Sequence, residues 1–200
     1  EIVHSSHVMT AISKEKENIL GVILSGGPES VYEENSPTVE KELFSLNIPI
    51  LGICYGMQLI AHLNGGTVEK AESKEFGKAS LEILEIENPL FENVKQHSQI
   101  WMSHGDHITK LPDGFKVIAQ TNTSIAAIMN NSNIYALQFH PEVSHSIFGK
   151  EILENFIFKI CKCEKNWKIK SFIEEETKKI KDTVKDDKVI LGLSGGVDSS

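Results

Sequence analysis

Ile48-Pro49-Ile50-Leu51-Gly52-Ile53-Cys54-Tyr55-Gly56-Met57-Gln58-Leu59-Ile60-Ala61 joins an apolar β-type run to an amphipathic helical pattern, and the two meet at a cysteine with a glycine two residues to either side. A residue at the tip of a strand-to-helix turn sits in a sparsely populated backbone conformation, so small neighbours must let the chain fold back while its side chain projects outward. Gly52 and Gly56 supply that room. The helix beginning after Cys54 points unpaired N–H groups and its positive dipole end at the sulfur, which favours the thiolate. Alone, such a turn also suits an inert core cysteine, and the rest of the sequence decides between the two.

A thiolate nucleophile needs a base, and the base needs an orienting group. Ile134-Tyr135-Ala136-Leu137-Gln138-Phe139-His140-Pro141-Glu142 is an apolar strand that delivers His140 at its end. Pro141 biases His140 towards extended backbone, where residues two apart project to the same side, so Glu142 is placed to hold the imidazole. Upstream, Gly21-Val22-Ile23-Leu24-Ser25-Gly26-Gly27-Pro28 is a second β-rich run that breaks at a glycine pair. Glycines there let backbone N–H groups approach a ligand closely. With the N–H of Tyr55, one from Gly26 or Gly27 would form an oxyanion hole, with Gly27 and Tyr55 the pair expected; each donor of this kind is worth roughly 10²- to 10³-fold in rate.

Near the C-terminal end, Asp187 to Leu193 alternates as a strand and runs into Ser194-Gly195-Gly196-Val197-Asp198-Ser199-Ser200. Glycines after a strand, flanked by hydroxyls, expose consecutive N–H groups to a phosphate. The lysine and spacing of a P-loop are missing.

The cysteine turn, the His-Pro-Glu strand end and the glycine pair together resemble the class I glutamine amidotransferases, with Cys54, His140 and Glu142 at the positions of that family's triad. The resemblance implies attack of Cys54 on the side-chain amide of glutamine, a γ-glutamyl thioester, release of ammonia and hydrolysis to glutamate. It implies glutamine-binding roles for Gln58 and for Ser103, His104, Gly105 and Asp106 in the stretch Met102-Ser103-His104-Gly105-Asp106. It also implies a flavodoxin-like, three-layer α/β fold around a central, mostly parallel sheet. The loop Ser194 to Ser200 resembles the pyrophosphate loop of ATP pyrophosphatases, and the family that joins the two modules in this order is that of the glutamine-hydrolysing GMP synthases. Ser25 to Tyr32 and His140 to His145 match that family as well. In the family's complete enzyme, ammonia reaches xanthosine monophosphate (XMP) adenylated by ATP, with magnesium on the phosphates, giving GMP, AMP and pyrophosphate; a homodimer forms through a C-terminal domain.

Measured against that family, the sequence opens at Glu1 without the first strand and helix and stops at Ser200 inside the phosphate loop. The expectation is a piece of a longer enzyme: an amidotransferase domain over 1–162, a connector over 163–187 and the start of an ATP pyrophosphatase domain over 188–200. No bound ATP or Mg is expected on it, and its glutaminase activity is expected to be weak or absent. Phe76 stands where the family more often has tyrosine, a change that leaves the triad untouched.

Composition fits a cytoplasmic enzyme. Twenty Lys+Arg against 28 Asp+Glu give a formal charge of −8, which argues against a nucleic-acid surface, and 40% hydrophobic residues suffice for one core. No apolar span of about 18 residues is present to cross a membrane, and no signal peptide is expected. Three cysteines, one wanted as a thiolate, suit a reducing compartment. His97, His104, Asp106 and His107 do not have the spacing of a regular metal site, so no metal site is expected, and Cys161 and Cys163 read as helix-end cysteines without a role. His145 is either a surface histidine or a contact to the second module.

Strands are predicted over 21–25, 48–53, 79–86, 99–103, 115–121, 124–129 and 133–139, and helices over 36–46, 55–63 and 147–161, with a connector helix carrying Trp167, Phe172, Ile173, Ile180 and Val184 on one stripe. Two other functions remain open at this point: a γ-glutamyl hydrolase or peptidase using the same Cys and His, against which the phosphate loop argues, and an inactive binding fragment.

Overall fold

The apolar runs that end in the two glycine turns become neighbouring strands. In the computed structural model, which describes residues 1–15, 18–166, 169–185 and 187–190, β1 (Val22–Leu24) pairs in parallel with β2 (Ile50–Ile53), and β2 pairs in parallel with β7 (Ile134–Leu137). Every residue of β2 and β7 is buried, as expected of strands covered on both faces. The sheet continues antiparallel from β7 through β6 (Ile125–Asn130) and β5 (Phe115–Gln120) to the long hairpin of β3 (Thr67–Ile83) and β4 (His97–Lys110), giving seven strands in the order β1-β2-β7-β6-β5-β3-β4.

One face is covered by α1 (Val8–Glu15) and α2 (Tyr55–Leu63), whose Val8, Ile12, Met57, Ile60 and Ala61 pack with Leu24, Ile50 and Ala136. The opposite face carries α3 (Gly149–Glu154) and a π-helical turn, Asn155–Ile160, whose Ile152 and Phe156 pack with Leu51, Leu137 and Phe139. Two cores on opposite faces make the three-layer α/β fold that the sequence implies.

The parallel part is smaller than expected: of the six strand pairings, β1–β2 and β2–β7 are parallel and the rest antiparallel. The physical reason is the length of the connections. A parallel pair needs a crossover of a dozen or more residues, whereas β5, β6 and β7 follow one another through links of a few residues that permit only antiparallel return. The helix predicted over 36–46 is a short 3-10 segment, Lys41–Ser45, and Asn47 at φ 55 turns the chain ahead of Pro49. The strand predicted from 79 starts at Thr67, and the helix predicted over 147–161 changes to π-helical hydrogen bonding after Glu154.

The chain divides into two compact units, Glu1–Cys163 and Glu164–Ser200. In the second, α4 (Ile169–Val184) exposes Ile173 and Ile180. The side chains of Trp167 and Phe172, and the loop Ser194 to Ser200, lie outside the described residues. Among the described residues no helix is long and apolar enough to cross a membrane.

Candidate active site

Cys54 stands between β2 and α2 at φ 50, ψ −105, a conformation that costs about 1–3 kcal/mol and persists because its surroundings enforce it. Both flanking glycines are required by close approach. A Cβ on Gly52 would lie 2.6 Å from the Gly56 carbonyl oxygen, and one on Gly56 would lie 2.1 Å from that of Leu24. The Cys54 N–H donates to Leu137 O across the sheet at 2.7 Å, while its own carbonyl accepts from Met57 and Gln58 at 3.0 and 3.2 Å. The N–H groups of Tyr55 and Gly56 open the helix and have no intrahelical acceptor, so they are free to meet an anion beside the sulfur.

β7 ends next to this turn, and three residues on stands His140. Its N–H donates to Trp101 O of β4 at 3.0 Å, and its carbonyl accepts from Ser146 Oγ at 2.5 Å, which pins the backbone from both sides. The ring Nδ1 lies 2.6 Å from Glu142 Oε1, the pairing that the His-Pro-Glu spacing predicts. The other side of the ring faces the sulfur. A Cβ on Gly26 would lie 3.1 Å from His140 Cε1 and 3.6 Å from Cys54 Cβ, so this glycine backs onto both groups at once. The His140 pKa is pushed up to about 10, first by its hydrogen bond with Cys54, then by that with Glu142, against burial. Burial, the largest single influence, pushes the Glu142 carboxyl upward, but the hydrogen bond from His140, a backbone hydrogen bond and the His140 charge together outweigh it and hold the pKa below the usual range. Both shifts follow from the place of the ring between the Cys54 sulfur and the Glu142 carboxylate.

A cleft of about 610 Å³ opens over the pair, lined by Gly27, Cys54, Gln58, Ser103, His104, Gly105, Asp106 and His140 together with Ser30, Tyr32, Lys70 and Phe76. The separated motifs of the sequence therefore share one cavity. Gly27 packs on the Tyr55 ring, its Cβ position 3.5 Å from Tyr55 Cγ, so the two residues expected to hold an oxyanion are neighbours. Cys54 Sγ lies 3.5 Å from Ser103 O, which accepts its S–H.

The structure adds residues that the sequence did not single out. The Asp106 carboxylate is engaged by Ser30 Oγ at 2.5 Å and Tyr32 OH at 3.0 Å, which ties the loop after β1 to β4 across the cleft. His104 is buried, with Nδ1 at 2.9 Å from Asp106 O and Nε2 at 3.1 Å from Glu75 Oε2. Glu75 in turn accepts from Ser124 Oγ at 2.8 Å and from Thr123 Oγ1. Gln138, buried beside the sulfur, is a further member. A glutamine inside the run Tyr-Ala-Leu-Gln-Phe is itself a signal, since a buried amide must be hydrogen-bonded. Outside the cleft, the thiol pKa of Cys161 is pushed up to about 12 by burial and by Cys163, and His145 stacks on Trp101 with ring centroids 4.5 Å apart.

Known proteins bear directly on this geometry. The profile of the family "Glutamine amidotransferase class-I" matches residues 1–160. A glutamine-hydrolysing GMP synthase of Mesoplasma florum is 56% identical over 194 residues, covering 96% of this chain and 38% of that protein. Its counterpart in Brachyspira hyodysenteriae is 56% identical over 200 residues, covering 99% and 38%, and that of Aquifex aeolicus is 48% identical, covering 100% and 39%. The chain thus spans less than two fifths of the length of these relatives. Among solved structures, a GMP synthase subunit protein from Thermoplasma acidophilum superposes with a TM-score of 0.61 at 34% identity, covering 82% of this chain and 80% of its own. A glutamine amidotransferase from Thermotoga maritima, 19% identical, shares the fold with a TM-score of 0.55, covering 90% and 86%. The profile match over most of the chain and the Thermoplasma likeness over most of both chains agree with the cleft: the chain belongs to the class I glutamine amidotransferase family.

Proposed function

We propose that this chain hydrolyses glutamine to glutamate and ammonia, and that the ammonia serves a GMP synthase reaction of the kind for which its relatives are named. The observation that supports this most is the placement of Cys54 at a strained turn in a cleft, facing a His140 that is hydrogen-bonded to Glu142 at 2.6 Å. Cys54 Sγ attacks the carboxamide carbon of glutamine. The oxyanion that forms is met by the N–H groups of Tyr55 and Gly27, and His140 gives its proton to the departing ammonia. The neutral imidazole then takes a proton from water, which attacks the γ-glutamyl thioester and releases glutamate. Glu142 orients His140 and stabilises its charged form.

Gln58 uses both amide protons within the protein, on Asp106 O at 3.0 Å and Gln138 Oε1 at 3.3 Å, leaving its Oε1 as an acceptor for the substrate. Ser103, His104 and Gly105 shape the same wall, while Asp106 acts by bracing Ser30 and Tyr32 rather than by offering a free carboxylate. The acceptor half of the reaction, with ATP, magnesium and XMP, is assigned to the larger protein. Ser194, Gly195, Gly196, Val197, Asp198, Ser199 and Ser200 are its proposed phosphate contacts on this chain, and no step is drawn through them. A cytoplasmic enzyme and a homodimer of the larger protein complete the proposal.

Ammonia release from glutamine tests it. The chain is expected to release ammonia, if slowly, and Cys54→Ala to abolish the release; an unchanged rate in Cys54→Ala would refute the proposal.

A further inference from the structure

Gln138 directly follows β7 with 1% of its surface exposed, between the buried Leu137 and Phe139. An aliphatic side chain would suit that neighbourhood, so the amide needs a reason. Its Nε2 lies 3.8 Å from Cys54 Sγ and its Oε1 accepts from Gln58 Nε2 at 3.3 Å. Gln58 Nε2 gives its second proton to Asp106 O at 3.0 Å, so both Gln58 protons are spent. That fixes the Gln138 amide, because turning it over would set one NH₂ group against another. Its N–H must face the sulfur.

The consequence depends on the charge of the sulfur. As a thiol, Cys54 donates to Ser103 O at 3.5 Å. As a thiolate it has no proton to donate, and the Ser103 carbonyl then presents lone pairs to an anion. The Gln138 N–H remains a donor in both states and binds the anion more strongly, since hydrogen bonds to a charged acceptor are roughly twice as strong as neutral ones. Resting on the nucleophile assignment above, we propose that Gln138 is a positioning residue that favours and aims the Cys54 thiolate through its N–H and, through its carbonyl oxygen, sets the Gln58 amide for the substrate.

The test is the pH dependence of Cys54 alkylation by iodoacetamide, followed on the Cys54 peptide, in the parent, Gln138→Met and Gln138→Leu, each checked for an intact thermal transition. Loss of one hydrogen bond to the anion is expected to move the midpoint up by about one pH unit, a roughly tenfold smaller thiolate fraction at a given pH. KM for glutamine rises together with a lower kcat, because Gln58 loses its partner. A merely structural role would leave the alkylation midpoint in place in whichever variant folds, and that result overturns the inference. The nucleophile assignment fails separately: it falls if Cys54→Ala keeps its glutaminase rate, whereas an unmoved midpoint alongside an inactive Cys54→Ala sinks the Gln138 proposal alone.

Discussion

Replacing Gly56 by alanine tests whether the cysteine turn is held by close approach of α2 to β1. A Cβ at Gly56 would meet the Leu24 carbonyl oxygen at 2.1 Å and its carbonyl carbon at 2.8 Å, both atoms of a buried strand backbone that cannot rotate away. To reach an ordinary contact the first turn of α2 must retreat by about 1 Å, and overpacking of that kind costs about 1–3 kcal/mol. The same displacement moves Cys54 against His140 and the N–H of Tyr55. A misplacement of about 1 Å in a reacting group is worth on the order of 10²-fold in rate. Urea unfolding and ammonia release from glutamine read the two effects, with Gly65→Ala as the comparison. Gly65 also needs its glycine, at φ +91, but a Cβ there meets nothing within 4 Å and lies at the far end of α2. Gly65→Ala should lose about 1–2 kcal/mol of stability from left-handed strain and keep its rate. If both variants lost activity in proportion to stability, or Gly56→Ala kept the parental rate, the steric account of the turn would be wrong.

Two further predictions concern His140. His140→Ala should abolish glutamine hydrolysis because it removes the group proposed to move the proton, whereas Glu142→Ala should retain a measurable rate because the imidazole itself remains and the His140 backbone keeps its place through Trp101 O and Ser146 Oγ; steady-state ammonia release separates them. The second is a pH profile. Because the His140 pKa is raised from 6.5 to about 10, the imidazolium and the stability it contributes are fully present below about pH 6.5 and are lost as pH rises through about 10. Glu142→Gln replaces a charged acceptor by a neutral one and so weakens what raises the His140 pKa, and the alkaline limb of activity should move towards neutral pH; a limb that stays in place would show that Glu142 does not set the charge.

The cysteine turn was legible because its physics is local. α2 spans the predicted 55–63, and β2 lies inside the predicted 48–53, since an apolar run, two glycines and a helix period fix that structure within fourteen residues. The His140–Glu142 contact was legible for the same reason, two residues apart in extended chain. The bracing network was not: Glu75 meets His104, Thr123 and Ser124 across 29, 48 and 49 residues of sequence, and nothing near Glu75 announces it. Residues 67–78 were missed because the polar run Thr-Val-Glu-Lys-Ala-Glu has little apolar alternation, and its strand forms through pairing with β4, where β3 shifts register between Lys70 and Glu75. The 36–46 region shows the opposite error, a helical pattern that forms only as the short Lys41–Ser45 segment before the left-handed Asn47.

The central claim is that Cys54 is the nucleophile. An electrophilic glutamine analogue, mapped by mass spectrometry over the three cysteines, tests it most directly. Both Cys54 and Cys161 are buried, but the Cys161 thiol pKa is pushed up to about 12, while Cys54 lines the cleft beside His140. One label on the Cys54 peptide, with glutamine slowing its appearance, is the predicted result. Label on Cys161 or Cys163 with Cys54 unmodified would contradict it.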